Sequence, residues 1–564
     1  MDRRLFLKLS AALSGSMVIS TGLTGCSSTA GLPENPVSFS HGVASGDPSA
    51  DSIILWTRAV PAGDSPSATV FWEIAADSNF SDIIRSGHAK AIAARDYTVK
   101  VDVRELSPST RYFYRFSTAT ETSPAGKTLT LPAGQVDNVK LGLFSCSNYP
   151  AGFFTPYLAA SADESIDFVL HLGDYIYEYA GDGYATERAA ELGRTFATDN
   201  NEEIITLADY RNRYAIYRTD KGLKALHQNK PWIVVWDDHE VANDTYTTGG
   251  ENHQPDEGDF FKRRAAAVQA YYEWLPIRPP VSDTDPTIYR TFEFGDLLSL
   301  YMLDTRIIGR DKQLSYAAFT DEETGQFDDI GFTAALMAED RTMLGLQQRD
   351  WLFESLEKSK ATWQVLGQQV LMGKMFFPAE IFSGTPREEI PSKIHDLADI
   401  RRKQIAGQPV SDEETARLNT TMAYNLDAWD GYPAERETVY KQFREKGKAA
   451  VVFAGDTHNG WCNKLTTGDN QAVGIEFGTS SVSSPGMESY LTMDNNEAHR
   501  LAQALPLLVK DLEYCNLNLR GYMTVTFTPL EVEANWLYVS TISSEDVHIA
   551  SVHTARFTQA ELLS

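Results

Sequence analysis

Residues Pro231–Asp244 read PWIVVWDDHEVAND. The first half is apolar, with β-branched and aromatic residues, and predicts a buried strand. The second half crowds Asp237, Asp238, His239, Glu240 and Asp244 directly behind it. Adjacent carboxylates repel one another, and burying them is costly unless a cation lies between them. The strand therefore predicts a cation site at its end.

Other segments repeat the design. VKLGLFSCSNY (139–149), IDFVLHLGDYIYEY (166–179), LLSLYMLDTR (297–306), TWQVLGQQV (362–370), AAVVFAGDTHNGW (449–461) and AVGIEFGTSS (472–481) each run from an apolar stretch into a polar cluster. Between them, LQQRDWLFESLEKSK (346–360) and PAERETVYKQFREKG (433–447) space apolar residues near 3.6, as amphipathic helices do. Strands alternating with helices predict an α/β layered domain, whose ligands gather beyond the carboxyl ends of the strands. Segments 180–200, 310–345 and 375–425 are polar and irregular and read as insertions or lids. The closing GYMTVTFTPLEVEANWLYVST (521–541) alternates as antiparallel strands do.

Upstream the pattern differs. ADSIILWTRAV, SATVFWEIAAD, YTVKVDVREL and TRYFYRFSTA alternate apolar and polar without helical periodicity. They predict an all-β, fibronectin-like N-terminal domain. At the start, MDRRLFLKLSAALSGSMVISTGLTGC pairs Arg3 and Arg4 ahead of an apolar run, which reads as a twin-arginine export signal. LTGC (23–26) resembles a lipoprotein cleavage box with Cys26 as the lipid anchor; the alternative is an accidental cysteine near an ordinary cleavage site. The expected organisation is signal 1–26, linker 27–35, β domain 36–135 and catalytic domain 138–555.

The chain of 564 residues is long enough for more than one domain. Its formal charge of −27 argues against a nucleic-acid footprint and leaves local cations to handle any anionic substrate. Besides Cys26 there are Cys146, Cys462 and Cys515, an odd number, so at least one is expected free or metal-bound. A Cys462–Cys515 disulfide is left open. There is no P-loop and no Gly-x-Ser-x-Gly elbow.

Taken singly, each polar cluster has an ordinary reading: Gly-Asp as a turn, Cys146 as a small core residue, Tyr177 as packing, His458 as a core histidine. Together, thiolate, carboxylate, phenolate, amide and imidazole at four strand ends form a mixed donor set. The softer donors suit a transition metal such as iron and the oxygens a hard ion such as calcium. Neighbouring cations clamp a phosphate and activate water.

The order Gly-Asp, then acid-His-acid, then Gly-x-x-His resembles the calcineurin-like metallophosphoesterases. The strings SCSNY, HLGDYIYEY, WDDHEVAND, LDTR and GDTHNGW, with FSHGVASGDPSADSIILWTR upstream, resemble the PhoD-type alkaline phosphatases over residues 36 to 545. The resemblance implies a layered β-sandwich flanked by helices, and an exported phosphodiesterase and phosphomonoesterase that uses Fe3+ and Ca2+ to activate a water or hydroxide. By the same resemblance Cys146, Asp174, Tyr177 and His458 hold iron, with Asp174 bridging. Asn243 and Asp456 hold calcium, with Asp238 as a further ligand. His239 serves the leaving group as acid or hydrogen-bond donor.

Arg306 is a candidate phosphate clamp, or else a partner for Asp304. Asp237 is a candidate to orient His239, or else a helix cap. The Ser/Gly stretch GTSSVSSPG (478–486) reads as a turn. The expected partner is a phosphate ester, with no sequence-specific nucleic-acid binding, and the expected location is periplasmic or cell-surface with a lipid anchor. The sequence assigns no oligomeric state. A purple-acid-type reading fails on its motifs, which begin Asp-x-His and end Gly-His-x-His. A lipid-anchored, calcium-binding adhesion protein is the non-catalytic alternative, and it leaves Cys146 and His239 without a role.

Overall fold

The computed structural model describes residues 36–280, 287–382 and 384–564. The signal, Cys26 and the linker lie outside the described residues. Among the described residues, no helix is long and apolar enough to cross a membrane.

Two large sheets pack face to face. In the nine-stranded sheet, Val139–Phe144, Phe168–His171, Pro231–Val234 and Val43–Gly46 are neighbours and run parallel. In the seven-stranded sheet, Leu298–Met302, Trp363–Gly367, Ala450–Ala454 and Ala472–Gly478 do the same. Strands covered on both faces need apolar residues throughout, and FVLH, PWIV and AVVFA are buried at every position. Alternation then sorts the side chains. Val451 and Phe453 face the core between the sheets, whereas Ala450, Val452 and Ala454 face the helices outside. Across the inter-sheet core Phe168 meets Phe294 at 5.2 Å and Trp363 meets Phe527 at 5.9 Å.

Both expected helices form, at Gly345–Lys358 and Pro433–Glu445. The segment expected to be irregular at 375–425 contains two more, Ile390–Ile405 and Asp412–Asn419. Ile390–Ile405 buries Ile394, Leu397, Ala398 and Ile400. Charged residues interleave with its aliphatic ones, which hid this apolar stripe. The closing alternation forms two strands, Gly521–Phe527 and Glu531–Val539, beside Val139–Phe144.

Residues 37–129 are all β apart from one short helical turn. Four strands, Ser67–Ala75, Ile83–Ile92, Arg111–Ser117 and Gly126–Leu129, make their own sheet. The sheet they face, however, is the nine-stranded one. Ser52–Arg58 and Thr98–Arg104 extend it through Val43–Gly46, which pairs with Pro231–Val234 at Ser45↔Pro231 and Gly46↔Trp232. Ser52–Arg58 accordingly serves two cores: Ile53 and Leu55 pack in the N-terminal one, Trp56 in the central one. Asp47, just past Gly46, takes Arg290 Nη2 at 2.6 Å and the backbone N–H of Arg278 at 2.7 Å. These contacts lock the N-terminal strands to the strand that carries the acidic cluster.

Cys462 and Cys515 are free and buried. Cys462 pairs in register with Tyr514, so Cys515 points to the opposite face; one lies in the inter-sheet core and the other in the outer core. A one-residue offset on paired strands excludes the disulfide.

The seam at Gly46 is tight. A Cβ there would lie 2.4 Å from the Pro276 carbonyl oxygen and 2.6 Å from that of Trp232. Gly46→Ala is expected to cost about 1–3 kcal/mol, the usual range for overpacking. Thermal unfolding beside the wild type checks this, and an unaltered Tm would show that the seam yields freely.

Candidate metal centre and active site

The polar clusters all follow the carboxyl ends of parallel strands. Ser145–Asn148 follow Val139–Phe144, Gly173–Tyr177 follow Phe168–His171, and Asp237–Glu240 follow Pro231–Val234. From the other sheet, Asp304–Arg306 follow Leu298–Met302 and Asp456–His458 follow Ala450–Ala454. The loops bend sharply. Cys146, Asp174, Asp456 and His458 have φ of 60°, 57°, 60° and 63°, a left-handed conformation that side chains with a Cβ adopt only under strain.

Hydrogen bonds hold this strain. The Glu240 carboxylate accepts the backbone N–H groups of Asp174 at 3.0 Å, Tyr175 at 2.5 Å and Asp237 at 2.7 Å. It thus fastens the second strand end to the third. Gly173, at φ 108°, lets them approach, since a Cβ there would lie 2.3 Å from that of Asp237.

Two donor groups result. Ligand atoms of Cys146, Asp174 and His458 lie within 4.8 Å of one another, as do those of Asp174, Asp238 and His239. Asp174 belongs to both. The Tyr177 hydroxyl joins the first group, donating to Asp174 Oδ2 at 3.0 Å and lying 3.1 Å from His458 Nε2. His458 Nδ1 lies 2.8 Å from the Pro485 carbonyl, which fixes the proton there and turns the Nε2 lone pair to the group. Asn243 and Asp456 line the same cavity, of about 340 Å³, beside Asp174 and Asp238. Asn243 Nδ2 donates to Glu251 at 3.1 Å, leaving Oδ1 as the atom it offers a ligand.

Electrostatics fit a cation. Burial, and then neighbouring carboxylates, push the acids Asp174 and Asp456 well above the usual range. Burial and Asp174 do the same to the Cys146 thiol and the Tyr177 hydroxyl. Burial lowers His458 to about 3, so its ring is the neutral form that ligates. Asp174 Oδ1 is buried with no hydrogen-bond partner. Acceptor-only oxygens and neutral donors crowded in this way are the chemistry of a metal site.

Asp237 and Arg306 do not take the places expected of them. His239 is oriented by Glu178, whose Oε2 lies 2.7 Å from His239 Nδ1. The other Glu178 oxygen accepts Asn243 N–H at 2.7 Å and Asn252 Nδ2 at 2.8 Å. Asp237 instead takes Arg306 Nε at 2.5 Å, because it points down between the sheets. Arg306 is fully buried, bonds Asp427 through Nη1 at 3.0 Å, and has Asp238 and Asp456 each at 3.6 Å from Nη2. It is an internal counter-charge under the cavity, not a phosphate clamp on its wall. Asp304 is not its ion partner either: its Oδ1 accepts the backbone N–H groups of Arg306 and Ile307.

Burial opposes the charged ring of His239, but Glu178, Asp238 and Asp174 outweigh it and hold its pKa well above the usual value. Burial likewise opposes the charge on Asp238, and Arg306 and His239 overcome it.

Glu178 and Asp427 were missed in sequence, and Glu240, named among the crowded acids, was given no role of its own. Glu178 was legible as the acid in GDYIYEY, hidden among alternating tyrosines. The stretch read as a Ser/Gly turn also contributes: Ser484 Oγ lies 2.8 Å from the Tyr177 hydroxyl, and Ser483 Oγ donates to the Asn148 carbonyl at 2.7 Å.

Comparison with known proteins matches residues 141–536 to the PhoD-like phosphatase model and residues 25–132 to the PhoD-like phosphatase N-terminal domain. Alkaline phosphatase D of Bacillus subtilis (strain 168) is 35% identical over 558 residues, covering 95% of this chain and 84% of that protein. The solved structure of PhoD matches with a TM-score of 0.73 at 32% identity, covering 94% of this chain and 92% of that one.

Glu240→Gln tests the fastening of the loops. One amide oxygen replaces two carboxylate oxygens, and its NH2 faces backbone donors. A loss of about 1–3 kcal/mol is expected, together with less metal per purified chain. Thermal unfolding and elemental analysis read the two effects; wild-type values for both would remove Glu240 from this role.

Proposed function

This chain belongs to the PhoD-like phosphatase family, and we propose that it is an exported, metal-dependent alkaline phosphatase and phosphodiesterase that releases phosphate for uptake. As a member of that family it is a phosphoric ester hydrolase. The observation that carries the metal-dependent reading is Asp174, shared by the Cys146–His458 and Asp238–His239 groups at the floor of one cavity.

The donor set supports two kinds of ion. Cys146, Tyr177, His458 and Asp174 would hold ferric iron, for which thiolate, phenolate and imidazole are suited. Asp174, Asp238, Asn243 and Asp456 would hold calcium through oxygen alone. Such ions supply positive charge and Lewis acidity where the phosphate sits. The protein does the rest. Glu178 holds a proton on His239 Nδ1, so the ring presents its Nε2–H to the cavity, placed to donate to a leaving-group oxygen. Tyr179 stands beside that ring and Tyr184 beside the His458 ring, and together they narrow the approach of water. The non-catalytic adhesion reading has no use for a buried His239–Glu178 pair facing a cavity.

Export by the twin-arginine route would allow iron to be loaded before the folded protein leaves the cell, and lipidation at Cys26 would hold it at the periplasmic or cell-surface membrane. Replacing Arg3 and Arg4 by lysine is expected to retain the protein inside the cell, and Cys26→Ala to abolish fatty-acid labelling. Fractionation and metabolic labelling decide both, and normal export of the lysine variant would refute the route.

Catalysis is tested with bis(p-nitrophenyl) phosphate and p-nitrophenyl phosphate at alkaline pH. Activity should fall with a calcium chelator and return with calcium. His239→Ala should lower kcat about 10²–10⁴-fold, and Glu178→Gln about 10–100-fold with KM little altered. Folded variants with wild-type kcat would contradict the assignment.

A further inference from the structure

Asp456, Thr457 and His458 follow the strand Ala450–Ala454, and all three line the cavity. Asp456 and His458 carry donor atoms of the metal centre, whereas Thr457 between them has no part in it. Thr457 is half-buried, and its backbone N–H donates to the Gly455 carbonyl at 2.7 Å. Its hydroxyl is engaged on one side only. Trp461 Nε1 lies 2.7 Å from Thr457 Oγ1, and an indole N–H can only donate, so the hydroxyl is the acceptor in this bond. Trp461 has no freedom to turn away. It is fully buried in the outer core and pairs in register with Gly478 and Cys515. Even a Cβ on Gly478 would come within 3.1 Å of its side chain. Among the described residues the Thr457 hydroxyl donates to no protein acceptor. The indole thus fixes the oxygen and takes one lone pair, and the proton is left to point elsewhere.

The floor around it is short of such protons. Asp174, Asp238 and Asp456 offer only acceptor oxygens when ionised, and Asn243 Nδ2 is taken by Glu251. His239 Nε2–H is one donor, delivered by the loop after Pro231–Val234 of the nine-stranded sheet. Thr457 comes from the seven-stranded sheet, on the other rim of the same cavity. A phosphate ester presents a leaving-group oxygen and non-bridging oxygens in different directions. One histidine N–H cannot serve them all.

Resting on the hydrolase reading above, we propose that Thr457 is a substrate-binding residue: its hydroxyl, held by the Trp461 indole, donates to a non-bridging oxygen of the phosphate while His239 faces the leaving group. A hydroxyl on an anionic oxygen makes a charge-assisted hydrogen bond. It does so without placing another cation beside the bound ions, which a lysine or arginine at this position would.

Removing the hydroxyl while keeping the shape tests this. In the iron- and calcium-loaded enzyme, Thr457→Val should lower kcat/KM for methyl p-nitrophenyl phosphate about 10–100-fold, with metal per chain unaltered. Binding of inorganic phosphate, followed by calorimetry, should weaken at least about tenfold. Thr457→Ser, which keeps the hydroxyl, should recover most of the loss. The Rp and Sp forms of methyl p-nitrophenyl phosphorothioate put sulfur at one or the other non-bridging position, and sulfur accepts hydrogen bonds weakly. The loss on Thr457→Val should persist for one diastereomer and shrink to about 1–3-fold for the other. Valine also leaves the Trp461 N–H unpaired; Thr457→Ala gives a water room to take it, and repeats the comparison if the valine variant folds poorly. Wild-type kcat/KM, wild-type phosphate binding, or an equal loss for both diastereomers overturns the proposal while leaving the hydrolase reading intact. Failure of the loaded wild type to cleave bis(p-nitrophenyl) phosphate overturns both.

Discussion

Arg306 is the cation about which the rest of the site is arranged. Its guanidinium is fully buried and has four carboxylates within 4 Å: Asp237 at 2.5 Å, Asp427 at 2.8 Å, and Asp238 and Asp456 at 3.6 Å. In a low-dielectric interior four acids of one sign cannot be gathered without a counter-charge, and one counter-charge is not enough to neutralise them. Geometry divides them into two kinds. Asp237 bonds the arginine through one oxygen and Asp427 bonds both it and Arg310, so they serve the fold. Asp238 and Asp456 lie beyond bonding distance and line the cavity, where they remain available to a ligand.

The same contacts pin two sheets together at one rim. Asp237 comes from the nine-stranded sheet, Arg306 and Asp456 from the seven-stranded one, and Asp427 from the insertion between its strands. Gln369 adds a second tie, donating to the carbonyls of Trp236 at 2.8 Å and Leu303 at 2.9 Å. Glu240 ties two loops of the nine-stranded sheet to each other. With the rim so over-determined, four residues can be kept in left-handed backbone conformations that would relax if isolated. Backbone strain sits at the donor atoms because bonds elsewhere in the loops hold it there.

His239 shows how the site separates function by environment. It and His458 are both buried, yet their surroundings shift them in opposite directions. His458 has a carbonyl at Nδ1 and burial prevails, whereas His239 has the Glu178 carboxylate there and attraction prevails. One ring is thereby suited to ligate and the other to donate a proton.

By itself, the sequence determined the layered α/β class, the strands and the polar clusters at their ends, because apolar runs of strand length and the acids behind them are local facts. It marked Cys146, Asp174, Asp238, Asn243, Asp456 and His458 as residues that gather at one site, since each follows a strand that the topology sends to the same rim. It did not determine which acid serves which partner. Glu178 rather than Asp237 orients His239, Arg306 pairs with Asp237 and Asp427 rather than facing substrate, and the strand Val43–Gly46 completes a sheet with a segment far along the chain. Those choices depend on direction and distance between loops remote in sequence. Only the packing of one sheet on the other fixes which carboxylates point down to the arginine and which point out to the cavity.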